Sequence, residues 1–179
     1  LLSSLLTQEQ LDEVLDKMRA HASSQGSVQT DIDDQQLAAK LIELGLLTQY
    51  QVAQLELGRT KFHLGPYLIT DYIAQGGMGQ VFRGTHRIMG RECAVKVLPL
   101  HKATASPDAI KNFLREVRMQ AQLDHPNLVR ALDAGQEKDV PYLVTEYVPG
   151  MDLRRLVRSH GRLAIPEAAS VILQTARAL

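Results

Sequence analysis

The sequence predicts an α+β fold: a small all-helical leader, then a five-stranded, mostly antiparallel sheet carrying one packed helix. Three observations predict it. Apolar residues recur at helical spacing behind helix-start signals through the first sixty residues. Short β-branched and aromatic runs separated by turn residues take over from Leu64. One amphipathic segment interrupts those runs after the third. With 179 residues, 45% of them apolar, the chain can bury the core of one domain or of two small ones.

The leader contains a short internal repeat. "LLTQEQ" from Leu5 and "LLTQYQ" from Leu46 agree at five of six positions. In each copy a Thr-x-x-Gln capping box, Thr7 with Gln10 and Thr48 with Gln51, can satisfy the orphan N–H groups of a helix start. Leu6 with Leu11 and Leu47 with Val52 are placed as hydrophobic staples. Between the copies, "DIDDQQLAAKLIELG" sets Leu37, Leu41, Ile42 and Leu44 at helical spacing, with acidic residues at its start and Gly45 at its end. "HASSQGSVQT" reads as a polar linker. The leader has no cysteine, nucleophile motif or metal-spaced histidine pair, so packing or protein docking is its expected role.

The expected strands are "YLITDYI", "QVFRGTHR", "RECAVKVLPL", "LVRALDAG" and "VPYLVTEYV", with "IMG" turning the chain between the second and third. The helix after the third strand starts with Ser106 as N-cap and Pro107 at its first position. Its apolar stripe is Ile110, Phe113, Leu114, Val117 and Ala121. "DLRRLVRSHG" is a further helix, and a last one begins near Pro166 and is still in mid-pattern at Leu179.

Bulk properties narrow the function. Twenty basic residues balance twenty acidic ones, which gives no overall field toward nucleic acid or an anionic membrane. The single cysteine, Cys93, excludes an internal disulfide framework or a cysteine-cluster metal site, in keeping with a cytoplasmic location; a small core residue is its expected role. No apolar run has the length to cross a bilayer. "RGTHRIMGR" reads as a solvated hairpin tip, and His125 in "DHPN" as a turn residue.

The chemistry concentrates around "IAQGGMGQVFRG", Ile73 to Gly84. A dinucleotide fold would need a helix after the glycines, and here a strand follows; a P-loop would need Gly-Lys-Ser or Gly-Lys-Thr, which the chain lacks. What remains is a glycine-rich hairpin folded over phosphates, or an ordinary glycine-rich turn. Lys96 favours the first. It lies in the middle of the apolar run "CAVKV", where an unpaired ammonium is costly to bury, and Glu116 on the following helix can pair with it.

Taken together, "IAQGGMGQVF", "CAVKV", "FLREVRMQAQLDHPNLVRALDAG" and "PYLVTEYVPGMDL", in this order and spacing, make residues 64–179 resemble the beginning of a bacterial serine/threonine protein kinase of the eukaryotic-like class. The resemblance implies a kinase-like small lobe over residues 61–148, the start of a truncated large lobe over 149–179, and a docking or regulatory leader over 1–60. It implies ATP as substrate. Ile73 and Val81 would cover the adenine from one side and Ala94 from the other. The phosphate-covering loop would be Ala74, Gln75, Gly76, Gly77, Met78, Gly79 and Gln80. Lys96 would hold the α and β phosphates and pair with Glu116. Thr145 matches the gatekeeper position. In the hinge, Glu146, Tyr147 and Val148, backbone groups of Glu146 and Val148 would read the adenine edge. Asp152 would reach a ribose hydroxyl or cap the next helix.

Two features depart from the family pattern. Ala74 stands at the first glycine position of Gly-x-Gly-x-x-Gly. The catalytic loop, the magnesium-binding segment and the activation loop are expected after Leu179, so no metal ligand is assigned within this chain and Mg2+ belongs to the complete enzyme. The expected function is the ATP-binding N-terminal portion of a serine/threonine protein kinase. Its partners would be ATP, protein substrates and possible protein contacts of the leader, with neither nucleic acid nor membrane. The alternative is a non-catalytic, pseudokinase-like module that senses nucleotide or docks a protein.

Overall fold

The computed structural model describes residues 4–24, 32–77, 79–99 and 107–179. Three helices come first, α1 (Gln8–Ser24), α2 (Asp34–Glu43) and α3 (Gln49–Glu56). They are followed by β1 (His63–Leu64), β2 (Tyr67–Gln75), β3 (Gln80–His86) and β4 (Glu92–Val97). Helix α4 (Pro107–Ala121), β5 (Ala131–Glu137), β6 (Val140–Glu146), α5 (Leu153–His160) and α6 (Ile165–Ala178) complete the order. The sheet order is β1-β2-β3-β4-β6-β5. The five expected strands are therefore present as β2 to β6. The two-residue β1 is added to them, pairing His63 with Leu68 and Leu64 with Tyr67; a run so short carries no alternation to read.

The chain forms two compact units. The first comprises Leu1–Tyr72 with Gly84–Met89, and the second Ile73–Arg83 with Gly90–Leu179. Strands β2 and β3 each pass from one unit into the other.

In the first unit, Val14, Leu41 and Leu47 form a buried cluster joined by Leu6, Leu37, Val52 and Leu55, which unites the apolar faces of the three helices. Leu44, expected on the stripe, is exposed, because the helix has already ended beneath it. Gly45, at a φ of 67°, lets Gly45 N donate to Ile42 O and Leu46 N to Leu41 O, a Schellman closure that turns the chain toward α3. Helix α1 runs on to Ser24, into the stretch read as a linker; the rest of that linker, from Gln25, lies outside the described residues.

In the second unit, β4 pairs with β6 and β6 with β5, all antiparallel. Alternation along β4 buries Cys93, Val95 and Val97 and leaves Ala94 and Lys96 half-buried. Helix α4 seats Phe113 against Leu98 and Leu143, with Val117 and Ala109 beside them. Ile110, Leu114 and Ala121, the remaining stripe residues, are exposed. The Ser106 cap and Met78 lie outside the described residues. Asp152 caps α5, accepting from Arg155 N at 2.8 Å. The Glu167 carboxylate accepts from Ala164 N at the start of α6.

Candidate nucleotide-binding site

The site is built on the β4–β6 ladder. Ala94 lies opposite Thr145, and Lys96 opposite Leu143, so the two β4 residues share the face on which α4 packs. Helix periodicity brings Glu116 to that face, one turn from Phe113, and the Lys96 ammonium donates to Glu116 Oε1. The pair is neither open nor sealed, with side chains 24% and 33% exposed. An ammonium so placed is paired and still partly open to solvent, within reach of an anion. Glu116 Oε2 is enclosed and has no hydrogen-bond partner among the described residues. Leaving such an oxygen unsatisfied costs about 1–3 kcal/mol. A groove of about 660 Å3 runs along this helix past Asn112, Glu116, Met119 and Leu123.

The glycine hairpin belongs to the same unit. Gly76 N donates to Gly79 O at 2.7 Å, closing the tip, and the Gln75 side-chain amide reaches the carbonyls of Gly76 and Gly79 at 3.3 Å each. The glycines differ in what they require. A Cβ on Gly79 would collide with the Val97 carbonyl at the end of β4, whereas one on Gly77 would meet nothing within 4 Å and one on Gly76 only Gly79 O at 3.6 Å. Gly79 is thus a packing glycine that seats the hairpin on the Lys96 strand. Ile73 is exposed, Ala74 and Gln75 likewise, while Gln80 and Val81 are half-buried.

The expected hinge, Glu146 to Val148, is held by main-chain and side-chain contacts. Glu146 N donates to Arg130 O at 3.0 Å, and Arg130 N donates back to Glu146 Oε1 at 2.8 Å. Glu146 O accepts the Thr145 hydroxyl at 3.2 Å. The Arg83 guanidinium, paired with Glu92, lies 4.9 Å from the centre of the Tyr147 ring, a cation–π contact that holds the ring against β3. Val148 is 64% exposed. Asp152 uses one carboxylate oxygen for its helix cap.

The predicted residues Ile73 to Val81, Ala94, Lys96, Glu116, Thr145 to Val148 and Asp152 therefore all fall in one compact unit, Met78 being outside the described residues. Sequence reasoning missed the Gly79–Val97 contact, the Gln75 latch and the Arg83–Tyr147–Glu92 group. Only the last left a signal, a cation placed on the strand after the glycines. Cys93, buried behind this face, has its thiol pushed up to about 11 by burial, so it stays a protonated core residue. His125 closes a turn by accepting from Asn127 N at 3.1 Å. No group of three or more acidic, histidine or cysteine side chains arranged for a metal stands among the described residues.

The chain is similar in sequence and fold to known proteins. The serine/threonine-protein kinase PrkC of Bacillus subtilis is 37% identical over 115 residues, which is 64% of this chain and 18% of PrkC. The serine/threonine-protein kinase PknA of Mycobacterium tuberculosis is 38% identical over 120 residues, 64% of this chain and 28% of PknA. The chain therefore matches only 18% to 28% of the length of these relatives. Among solved structures, the Mycobacterium tuberculosis PknI kinase domain superposes with a TM-score of 0.55 at 24% identity, covering 65% of this chain and 46% of that one, a likeness of fold. Rad53 in complex with AMP-PNP superposes at 0.53 with 26% identity, over 62% of this chain and 28% of that one. The protein kinase domain family matches residues 67–179, more than half of the sequence, and the chain belongs to that family.

Proposed function

We propose that the full-length protein transfers the γ-phosphoryl group of ATP to serine or threonine hydroxyls of protein substrates. The observation that carries this reading is the Lys96–Glu116 ion pair, held in one compact unit with the glycine hairpin and the hinge. Glu116 fixes the ammonium in place before any ligand arrives, so Lys96 meets the α and β phosphates without reorganising. Ile73 and Val81 on one side and Ala94 on the other offer an apolar slot for the adenine, and the Val148 backbone offers one donor and one acceptor to its edge. Asp152 retains a second carboxylate oxygen for a ribose hydroxyl. The AMP-PNP complex of Rad53 supports an adenine nucleotide as the ligand.

In the transfer, the substrate hydroxyl oxygen bonds to the γ phosphorus, the bond from that phosphorus to the β–γ bridging oxygen breaks, and ADP departs with the electron pair. Bound Mg2+ supplies charge neutralisation of the phosphates, and the described residues of this chain offer it no ligand set. The residues of this chain bind and orient; the group that accepts the hydroxyl proton belongs to the family's catalytic loop. We place the reaction in the cytoplasm, on the strength of the cysteine usage.

Replacing Lys96 by Met tests this. In the full-length protein, Lys96→Met is expected to lower phosphorylation of a generic basic protein by about a hundredfold or more, with the fold intact by circular dichroism. Undiminished phosphorylation would remove Lys96 from the proposed role. A wild-type protein that binds ATP and shows no transfer would instead be a nucleotide-sensing module.

A further inference from the structure

The two copies of the leader repeat make the same capping box and put it to different use. In the first, Thr7 N donates to Gln10 Oε1 at 2.9 Å and Gln10 N to Thr7 Oγ1 at 3.1 Å, and all of this is exposed. In the second, Thr48 N donates to Gln51 Oε1 at 2.9 Å and Gln51 N to Thr48 Oγ1 at 3.1 Å, so the cap geometry is the same. The Thr7 hydroxyl turns back to Gln10 Oε1 at 3.3 Å, inside its own cap, whereas in the second copy both side chains also bond outside the cap. The Thr48 hydroxyl donates to Thr70 O at 2.6 Å, and the Gln51 amide donates to Ile69 O at 2.9 Å. Gln51 is 3% exposed.

Both acceptors are main-chain carbonyls of β2. The ladder between β1 and β2 ends at the His63–Leu68 pair, after which Ile69 N still donates to Phe62 O at 2.7 Å. The start of α3 takes over where β1 stops. The burial of β2 changes at the same place: Tyr67 to Thr70 are buried or half-buried, and Asp71 to Gln75 are exposed. The exposed half carries Ile73 and runs directly into the glycine hairpin. The strand is thus gripped at Ile69 and Thr70, and its exposed end, which neighbours β3 in the sheet, bears the loop proposed to cover the nucleotide.

We infer that Thr48 and Gln51 are positioning residues for nucleotide binding, clamping β2 so that Ile73 and the hairpin are held at the adenine and phosphates. This rests on the kinase reading given above. A helix cap satisfied by its own reciprocal bonds needs neither burial nor reach into a strand, and the Thr7–Gln10 copy has neither. The difference between the copies marks the second as the one tied to β2.

Gln51→Glu isolates the clamp. A glutamate keeps the acceptor that completes the cap and loses the N–H that binds Ile69 O. In the full-length protein this variant is expected to raise KM for ATP about fivefold to tenfold, with kcat at saturating ATP within about twofold. Amide exchange over Ile73–Gly79 should also quicken. Gln10→Glu, the matched change in the first copy, should leave all three at wild-type values, and Thr48→Ser should behave as wild type because its hydroxyl still donates. Should the buried charge prevent folding, Gln51→Met, apolar and similar in volume, replaces it. A wild-type KM and wild-type exchange in a folded Gln51 variant would overturn the inference, as would an equal KM rise in Gln10→Glu. If the wild-type protein lacks phosphoryl transfer the kinase reading fails, and the exchange comparison still decides the clamp.

Discussion

A methyl group on Gly79 would land on the Val97 carbonyl, and neither partner can step aside, since both are main chain held between strands. Gly79→Ala is therefore expected to lower stability by about 1–3 kcal/mol, by the usual cost of overpacking, and to raise KM for ATP by unseating the hairpin. Gly77→Ala, where a Cβ meets no protein atom within 4 Å, should leave the melting temperature close to wild type. Thermal melts and ATP titrations of the two variants check this; equal effects at both positions would mean that the glycines act through loop flexibility instead. At the same scale, the sequence made Lys96 and Glu116 legible because an ammonium in an apolar strand demands a carboxylate. It was silent on the packing of Gly79 against Val97, because close approach of two backbones separated by eighteen residues leaves no mark in residue type.

At the scale of elements, legibility followed periodicity. Strands β2 to β6 and all six helices described were readable from alternation, caps and stripes, with boundaries displaced by a few residues. The stripe of α4 was read too wide, since Ile110 and Leu114 are exposed while Phe113 carries the packing. Apolar spacing shows which face a helix can bury, not how much of that face finds a neighbour. Strand β1 was not legible at all, and it carries a titration. Burial, with a smaller contribution from the Arg87 charge, holds His63 below its ordinary value of 6.5. The folded state disfavours protonation here, so the penalty is absent above the ordinary value and grows as pH falls through it. Stability should accordingly decline as pH falls below the ordinary value of 6.5, and His63→Gln should flatten that decline in thermal melts. A decline of the same size in the variant would assign it to other groups.

For the molecule as a whole, formal charge cancels, with 20 basic and 20 acidic residues. Without a net field the chain has no long-range pull on a polyanion, and labelled duplex DNA should show no saturable anisotropy change at about 10 µM protein and about 0.15 M salt. Saturable binding there would point to a basic patch that the total conceals. The pairing of β4 with β6 has a different whole-molecule consequence. Val95 and Val144, both fully buried, lie opposite each other, while Ala94 and Lys96 alternate with Val95 and Val97. A slip of one residue would drive the Lys96 ammonium into the core and turn the valines outward, an arrangement too costly to persist. Folding therefore proofreads the site. A chain in which Lys96 faces the wrong way is also a chain that cannot close its core, so an inactive but well-folded register has no place to accumulate.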